Sequence, residues 1–456
     1  MIIAALIIIG IVLAVTTLIS GRYAKKACAI SGALLLLLGL FTFFDIGKTS
    51  VVELFSFGGI TVSAALFVDG ISIVLILLTL LLGIAAIFVS WSEITTREPE
   101  HYAILIALIT MIVGVFASKD FVLLFVFWEM VLVMTFLLIL LWGGPDRKHA
   151  SMKFLLYTGI GSAALLAAII IFAVSAGTTM MEMTTIPPLA GQIVFFLIAM
   201  ACLIKLPAVP FHTWLPDAHV QAPTAGSMLL AGVMLKMGAY LLLRSTTLFQ
   251  ISDVTLLLLF AIGVLSALYG AWVCFAQQHL KRLIAYSSIH HMGLVLIAIS
   301  VGGTYGTMAA VFAMVSHGLL SPLLFALAGL IHHKTGTYDL NGLSGLVRVL
   351  PKTAWLLVIA ALASMGLPVF SAFIAEVLVF SFAIKTYGFL ALLPLAAILL
   401  GGAYTLRLLA ILFGPQRLNK LNDVELMQQF PILLLFVCSM LLGVAPMLLL
   451  TVLKVT

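Results

Sequence analysis

The chain has 456 residues, 64% hydrophobic and only 8% charged, with a formal net charge of +6. Soluble domains average about 25% charged residues, so a water-soluble globular fold is excluded. The positive charge arises mostly in short loops and does not point to nucleic acid. No G-x-G-x-x-G, no phosphate loop and no soluble stretch long enough for a nucleotide domain is present.

Runs of about 20 apolar residues recur from end to end, the signature of membrane helices. The opening MIIAALIIIGIVLAVTTLIS lacks a preceding basic region and a following small-residue cleavage pattern, so it is taken as a first span and not a removed leader. Fourteen spans are expected, near 1–20, 27–44, 70–90, 101–117, 121–142, 152–175, 190–212, 225–243, 254–274, 283–301, 305–331, 354–384, 388–413 and 430–452. Alternate loops then hold Arg22, Lys25, Lys26, Arg97, Arg147, Lys148, Lys153, Lys281, Arg282, Lys334, Arg348, Lys352, Arg417 and Lys420. The opposite loops hold Lys48, Lys119, Arg244, Lys385 and Lys454, while Lys205, Lys236 and Arg407 fall within spans. The positive-inside rule makes the richer set cytoplasmic and puts both termini outside. The expectation is an all-α polytopic protein of the cell membrane.

Cys28, Cys202, Cys274 and Cys438 lie far apart, with no pair at metal-ligand spacing. An iron–sulfur cluster bound by this chain alone is not expected. No two histidines stand i, i+4 on one helix, so no metal site and no cofactor is assigned.

Two regions echo each other. LP at 206–207 is followed by GAYLLLR at 238–244, and LP at 367–368 by GAYTLR at 402–407. These fall in spans seven and eight, then twelve and thirteen. An odd offset of five spans inverts the second copy, and inverted repeats with one broken helix each are a transporter architecture. The bland alternative is chance similarity of apolar strings. Proline breaks helices, and exposed backbone at membrane depth needs protein or a watery cavity around it. LPAVP in span seven and SMGLPVFS in span twelve are therefore expected to admit water. The division that follows is 1–100 for helices 1–3, 101–245 for a first five-helix repeat, 254–413 for an inverted second and 430–456 for a last helix.

Glu129, in FVLLFVFWEMVLVMTFLLILL, has no other ionisable group near it in sequence, and Lys236, in SMLLAGVMLKMGAYLLL, is equally alone. Lys205 edges the first break and Glu376 follows the second. A charge at the bilayer centre costs about 2.5–3.5 kcal/mol on insertion scales. Four such groups imply pairing or work. A static Glu129–Lys205 salt bridge is the structural alternative, though buried pairs rarely stabilise more than apolar packing. The functional reading is proton transfer. Burial disfavours a charged lysine, while a carboxylate at ~4 Å favours it by about 4 kcal/mol at an effective dielectric near 20. Opposing contributions of similar size make a switch.

Histidine titrates near neutrality and suits a relay between lysines. His291 is placed at the opening of span ten and His317 in the middle of span eleven, whereas His290 is taken as a packing residue. His212, Asp217 and His219, beside the first break, either shape a vestibule or cap the following helix. His332 and His333 are assigned to a solvated cytoplasmic loop.

The block KLPAVPFHTWLPDAHVQAPTAGSMLLAGVMLKMGAYLLLR, with FWE, RLIAYSSIHHMG and SHGLL, resembles the antiporter-like membrane subunits of respiratory complex I, membrane-bound hydrogenase-related complexes and Mrp sodium/proton antiporters. The resemblance covers essentially the whole chain. It implies fourteen core helices, inverted five-helix repeats and a proton path along the central membrane plane. By motif match, proton translocation would use Glu129, Lys205, Lys236, His291, His317 and Glu376. Glutamate at 376 resembles the complex I subunit called chain M or 4. His212, Asp217 and Arg407 are accessory positions. The ending at Thr456 is taken to mean that the long lateral helix of the largest sibling is missing.

The function expected is a proton-translocating subunit of a redox-driven complex of the NADH:quinone- or ferredoxin-linked kind. The chain itself would hold no redox centre, and its partners would be other membrane subunits, sibling antiporter-like chains among them. A sodium/proton exchange subunit of an Mrp-type complex and a non-transporting scaffold are the rival readings. Quinone binding finds little support, because the polar groups line the interior.

Overall fold

The structure is a computed structural model and describes residues 1–182, 186–249, 251–419, 421–423 and 426–453. Lys420 and Lys454, used above to orient the chain, lie outside them.

Helices α1 (Ile2–Ile19) and α2 (Ala24–Phe41) are followed by strands β1 (Thr49–Phe57) and β2 (Ile60–Phe67). Next come α3 (Gly70–Glu93), α4 (Glu98–Ala117), α5 (Phe121–Trp142), α6 (Arg147–Ala176) and α7 (Pro188–Lys205). A short α8 (Trp214–Gln221) leads to α9 (Thr224–Leu229), which continues through a π-helical turn, Leu230–Met234, into α10 (Leu235–Leu248). Then follow α11 (Asp253–Cys274), α12 (Leu280–Val301), α13 (Gly303–Thr335), the single turn α14 (Leu346–Val349) and α15 (Pro351–Ser364). The chain closes with α16 (Ser371–Tyr387), α17 (Leu392–Leu412), α18 (Leu426–Val444) and α19 (Met447–Leu453).

Among the described residues, 12 helical runs are long and apolar enough to cross a membrane, or up to 13 if the bent α18–α19 pair is one span. The chain is a multi-pass helical membrane protein. The α16–α17 pair counts there as one continuous run, and α15 is too short to count by itself. The twelfth span expected from sequence, 354–384, is divided between α15 and α16.

The β-hairpin was not expected. Its antiparallel register runs from Thr49↔Phe67 to Phe57↔Ile60. Gly58 and Gly59 have φ of 59° and 81°, the two positive values that a type I′ hairpin turn demands and glycine supplies without steric cost. The hairpin leans on the C-terminal ends of α6 and α4 through bridges from Thr61 to Thr178 and from Leu66 to Ser118. Aspartates start the neighbouring helices. Asp69 Oδ1 accepts from Ser72 N at 2.9 Å, and Asp120 Oδ1 from Val122 N at 2.8 Å, satisfying donors that helix N-termini leave free.

Burial is layered. The most apolar windows of Thr224–Leu248 and Gly303–Thr335 are 100% buried, against 33% for Ile2–Ile19. The two innermost spans are therefore those that carry Lys236 and His317. Outward faces such as Ile8, Ile30, Leu156 and Ile160 are apolar and exposed, as the hydrocarbon of a bilayer requires.

Both LP motifs lie at helix breaks. At the first, Leu206 N donates to Cys202 O at 2.7 Å and Ala208 N to Leu203 O at 2.9 Å. Trp214 Nε1 donates to Ile204 O at 3.1 Å, and Val209 N to Ser266 Oγ at 2.9 Å. Protein groups thus satisfy backbone that the break releases. At the second, Gly366 and Val369 both have φ of 88°.

Candidate functional site

The π-helical turn ends two residues before Lys236 and stands against α13 at Gly318 and Pro322. Lys236 is 0% exposed. Its Nζ donates to Ala231 O at 2.5 Å and lies 2.5 Å from His317 Nδ1. Two nitrogens this close cannot both be fully protonated and cationic, so the pair holds one shared excess proton at most.

From His317 the polar line continues sideways. The His317 and His291 ring centroids are 5.4 Å apart. His291 Nδ1 contacts Ser287 O at 2.7 Å and its Nε2 contacts Ser364 O at 3.3 Å, in the second break. His291, His317, Ser316, Ser364 and Glu376 line one cavity of ≈ 20 Å³, room for about one ordered water. The Glu376 carboxylate rests against the Cα of Gly366, where a Cβ would collide with Oε2. His291 does not open its helix, because α12 begins at Leu280 behind an N-cap by His279. This earlier start carries His291 about three turns in, level with His317.

On the other side of Lys236, α7 approaches α10 at Gly238, where a Cβ would stand 3.1 Å from the Lys205 Cβ. Lys205 is buried, and its Nζ lies over the Trp128 ring, 4.9 Å from the centroid. Lys205 Nζ and Glu129 Oε1 are buried without a hydrogen-bond partner among the described residues. Glu129 acts electrostatically on Lys205 without forming an ion pair there, so the static salt bridge weighed from sequence does not form. A cation–π contact with Trp128 takes its place.

The accessory positions separate. Asp217 is an anchor: its carboxylate accepts from Lys153 Nζ at 2.7 Å and Arg282 Nη2 at 3.0 Å, tying α8 to α6 and α12. His212 packs edge-on against Tyr269 with centroids 4.9 Å apart, and its Nδ1 has no partner among the described residues. Arg407 Nη1 donates to Gln277 O at 3.1 Å, a tie between α17 and the α11–α12 loop. His290 behaves as the packing residue expected, with Nδ1 at 2.9 Å from Ala267 O.

Several residues escaped the sequence reading. Lys281, assigned to a loop, is buried. Its Nζ donates to Ala222 O at 2.9 Å and stands 5.2 Å from the Tyr338 ring centroid. Tyr338 stacks on His332 with centroids 4.1 Å apart, so His332 is half-buried and only His333 is solvated. Glu93 caps α9, accepting from Thr224 N at 3.0 Å with both oxygens and from Thr224 Oγ1 at 3.0 Å. Glu93, Thr224, His332 and Tyr338 line a cleft of ≈ 330 Å³. His219 is 0% exposed and stacks on Phe325, its centroid 4.4 Å away. Neither ring nitrogen of His219 has a partner among the described residues, and both Lys281 and Lys236 act on it electrostatically. Lys281 lies in the first turn of α12 and not in a loop. The convergence of these residues depends on how the loops fold back.

Comparison with known proteins agrees with this fold. Residues 118–401 match the family model for NADH:quinone oxidoreductase/Mrp antiporter transmembrane proteins. NADH-quinone oxidoreductase subunit M of Rhodobacter capsulatus is 36% identical over 403 residues, covering 83% of this chain and 78% of that one. NAD(P)H-quinone oxidoreductase chain 4 2 of Thermosynechococcus vestitus is 41% identical over 326 residues, 69% of this chain and 60% of that one. The chain thus spans about 60% of the length of several chain 4 relatives it matches. A chain of respiratory complex I from Thermus thermophilus superposes with a TM-score of 0.90 at 27% identity, covering 100% of this chain and 98% of that one. A chain of the Mrp complex from Dietzia sp. superposes with a TM-score of 0.89 at 27% identity, covering 99% and 51%. The chain belongs to the antiporter-like membrane family shared by NADH:quinone oxidoreductases and Mrp antiporters.

Proposed function

We propose that this chain translocates protons as an antiporter-like subunit of a multi-subunit, redox-driven membrane complex. The observation that carries the reading is the buried Lys236–His317 contact of 2.5 Å, which opens onto a cavity shared with His291 and Glu376. The path runs Lys205, Lys236, His317, His291, Glu376. This orders the two histidines, because His317 touches the lysine and His291 touches the second break. Protons enter from the cytoplasmic side near spans seven and eight, where the Glu93–Tyr338 cleft opens, and leave toward the outside, where both termini lie. Glu129 modulates Lys205 from α5 in response to a neighbouring membrane subunit. Charge moves with each step, so a proton that leaves Lys236 changes what the neighbouring sites can hold.

The subunit M and chain 4 relatives support a quinone-oxidoreductase setting, with electron carriers on other subunits. A sodium/proton exchange role is the second reading, favoured by the superposition on the Mrp chain. Sodium-dependent transport in vesicles distinguishes the two. For the path itself, Lys205→Ala is expected to abolish proton pumping while the complex still assembles. Normal pumping by that variant refutes the assignment.

A further inference from the structure

Buried hydroxyls in this bundle mostly turn back on their own helix. Thr79 donates to Leu75 O, Ser118 to Gly114 O and Ser245 to Leu241 O, the ordinary i−4 habit of such residues. Ser288 and Ser321 pair across α12 and α13 at 3.1 Å, and a run of three further serines joins three helices. Ser316 Oγ lies 3.0 Å from Ser371 Oγ, which lies 2.9 Å from Ser439 Oγ. All three are buried, at 3%, 0% and 0% exposure.

Their positions are informative. Ser316 immediately precedes His317 on α13. Ser371 is the first residue of α16, five before Glu376, and being first it has no preceding helical turn to bond. Ser439 lies on α18, which carries none of the residues of the proposed path. One turn further along α18, Gly443 presses on the backbone of Val369 and Phe370, where any Cβ would collide with the Val369 carbonyl. Val369 is a β-branched residue with φ of 88°, a conformation that persists only where surrounding structure holds it. α13 and α18 therefore grip the second break from two sides, and the hydroxyl of Ser371 is the atom they share.

We propose that Ser371 is a positioning residue for proton transfer at Glu376, latching the helix of that carboxylate to α13 and α18. The inference rests on the translocation path proposed above. Each hydroxyl has one proton and two lone pairs, so Ser371 can bond both neighbours at once, and both bonds fix the first turn of α16. That turn sets where the Glu376 carboxylate lies relative to Gly366 and the His291–His317 cavity. A misplacement of about 1 Å is enough to slow a positioned transfer severely.

The test is proton transport by the purified complex containing this chain, reconstituted in vesicles with Ser371→Ala, Ser439→Ala, Ser371→Thr or Glu376→Gln. Ser371→Ala is expected to slow transport about five- to tenfold, the rate equivalent of one lost interhelical hydrogen bond. It also moves the midpoint of the pH–rate profile by about half a unit or more, a change that loosened packing alone does not produce. Ser439→Ala slows transport about threefold, and Ser371→Thr, which keeps the hydroxyl, restores rate and midpoint. If Ser371→Ala fails to assemble, the Ser439→Ala rate and midpoint decide. Wild-type rates and midpoints in the alanine variants beside an inactive Glu376→Gln overturn the latch and leave the path standing. An active Glu376→Gln overturns both.

Discussion

Lys236 Nζ and His317 Nδ1 are 2.5 Å apart in the innermost part of the bundle, on the two spans whose apolar windows are wholly buried. A lysine inside a membrane usually finds a carboxylate. This one finds a neutral-capable ring, and the difference matters. A Lys–Glu pair holds its proton in a deep well, whereas a Lys–His pair shares one between groups of similar proton affinity once the lysine is desolvated. Proton transfer along a chain needs the second arrangement.

Because the two side chains act as one unit, their removal is expected to be non-additive. Lys236→Met and His317→Gln each reduce proton transport by about two orders of magnitude, in the range of a lost acid–base group. The double variant transports no worse than the weaker single one. Rates measured in vesicles for the four forms check this; multiplication of the two single effects contradicts it. Lys236→Met costs little stability, since apolar packing replaces a buried polar pair.

The second break makes a separate prediction. Gly366 has φ of 88° and leaves space that the Glu376 carboxylate fills. Gly366→Ala strains the backbone by about 1–3 kcal/mol and displaces that carboxylate. A melting temperature lower than wild type in detergent, with impaired proton transport, is expected; unchanged transport shows that the Glu376 position tolerates movement.

Asp217 marks the boundary between anchoring and transport. It pairs with Lys153 and Arg282, side chains 26% and 41% exposed, so water screens both pairs and each contributes about 0.2–1 kcal/mol. Asp217→Asn is expected to lower thermal stability slightly, by less at high salt, with proton transport near wild type. A variant that assembles normally yet no longer transports moves Asp217 into the path.

The fold also carries a pH liability beside the proposed entry cleft. His279 caps α12, its Nδ1 accepting from Arg282 N at 3.4 Å, and its ring stacks on Tyr338. Burial, then the charges of Lys281, Arg282 and His332, push its imidazole down to about 4. With the folded value below the ordinary one near 6.5, the neutral ring stabilises above pH 6.5, and that contribution is lost as pH falls toward 4. Melting in detergent at pH 7 and pH 4.5 is expected to show a smaller drop for His279→Asn, whose amide caps without titrating. Equal drops in both proteins contradict this.

The members of the proposed path stood out in the sequence because ionisable groups are so rare in apolar spans that each one announces itself. Glu129, Lys205, Lys236, His317 and Glu376 needed only hydropathy and motif. His291 was named but placed at a helix start, since the apolar run begins after Arg282 while the helix begins at Leu280 behind a histidine cap. The hairpin at Thr49–Phe67 was signalled by Gly58–Gly59 between alternating residues, a pattern easily hidden beside stronger membrane runs. The Lys205–Trp128 contact, the Glu93 cap and the Ser316–Ser371–Ser439 bridge join positions far apart in the chain. Common residue types make all three, and no local pattern announces such contacts.

The most direct test of the account is proton uptake by vesicles containing the purified complex, compared between wild type and Lys236→Met at equal amounts of assembled protein. The account predicts that electron transfer by the partner subunits can continue while proton uptake through this chain is lost. Wild-type uptake by Lys236→Met contradicts it, because no proton can then be passing through the buried Lys236–His317 pair.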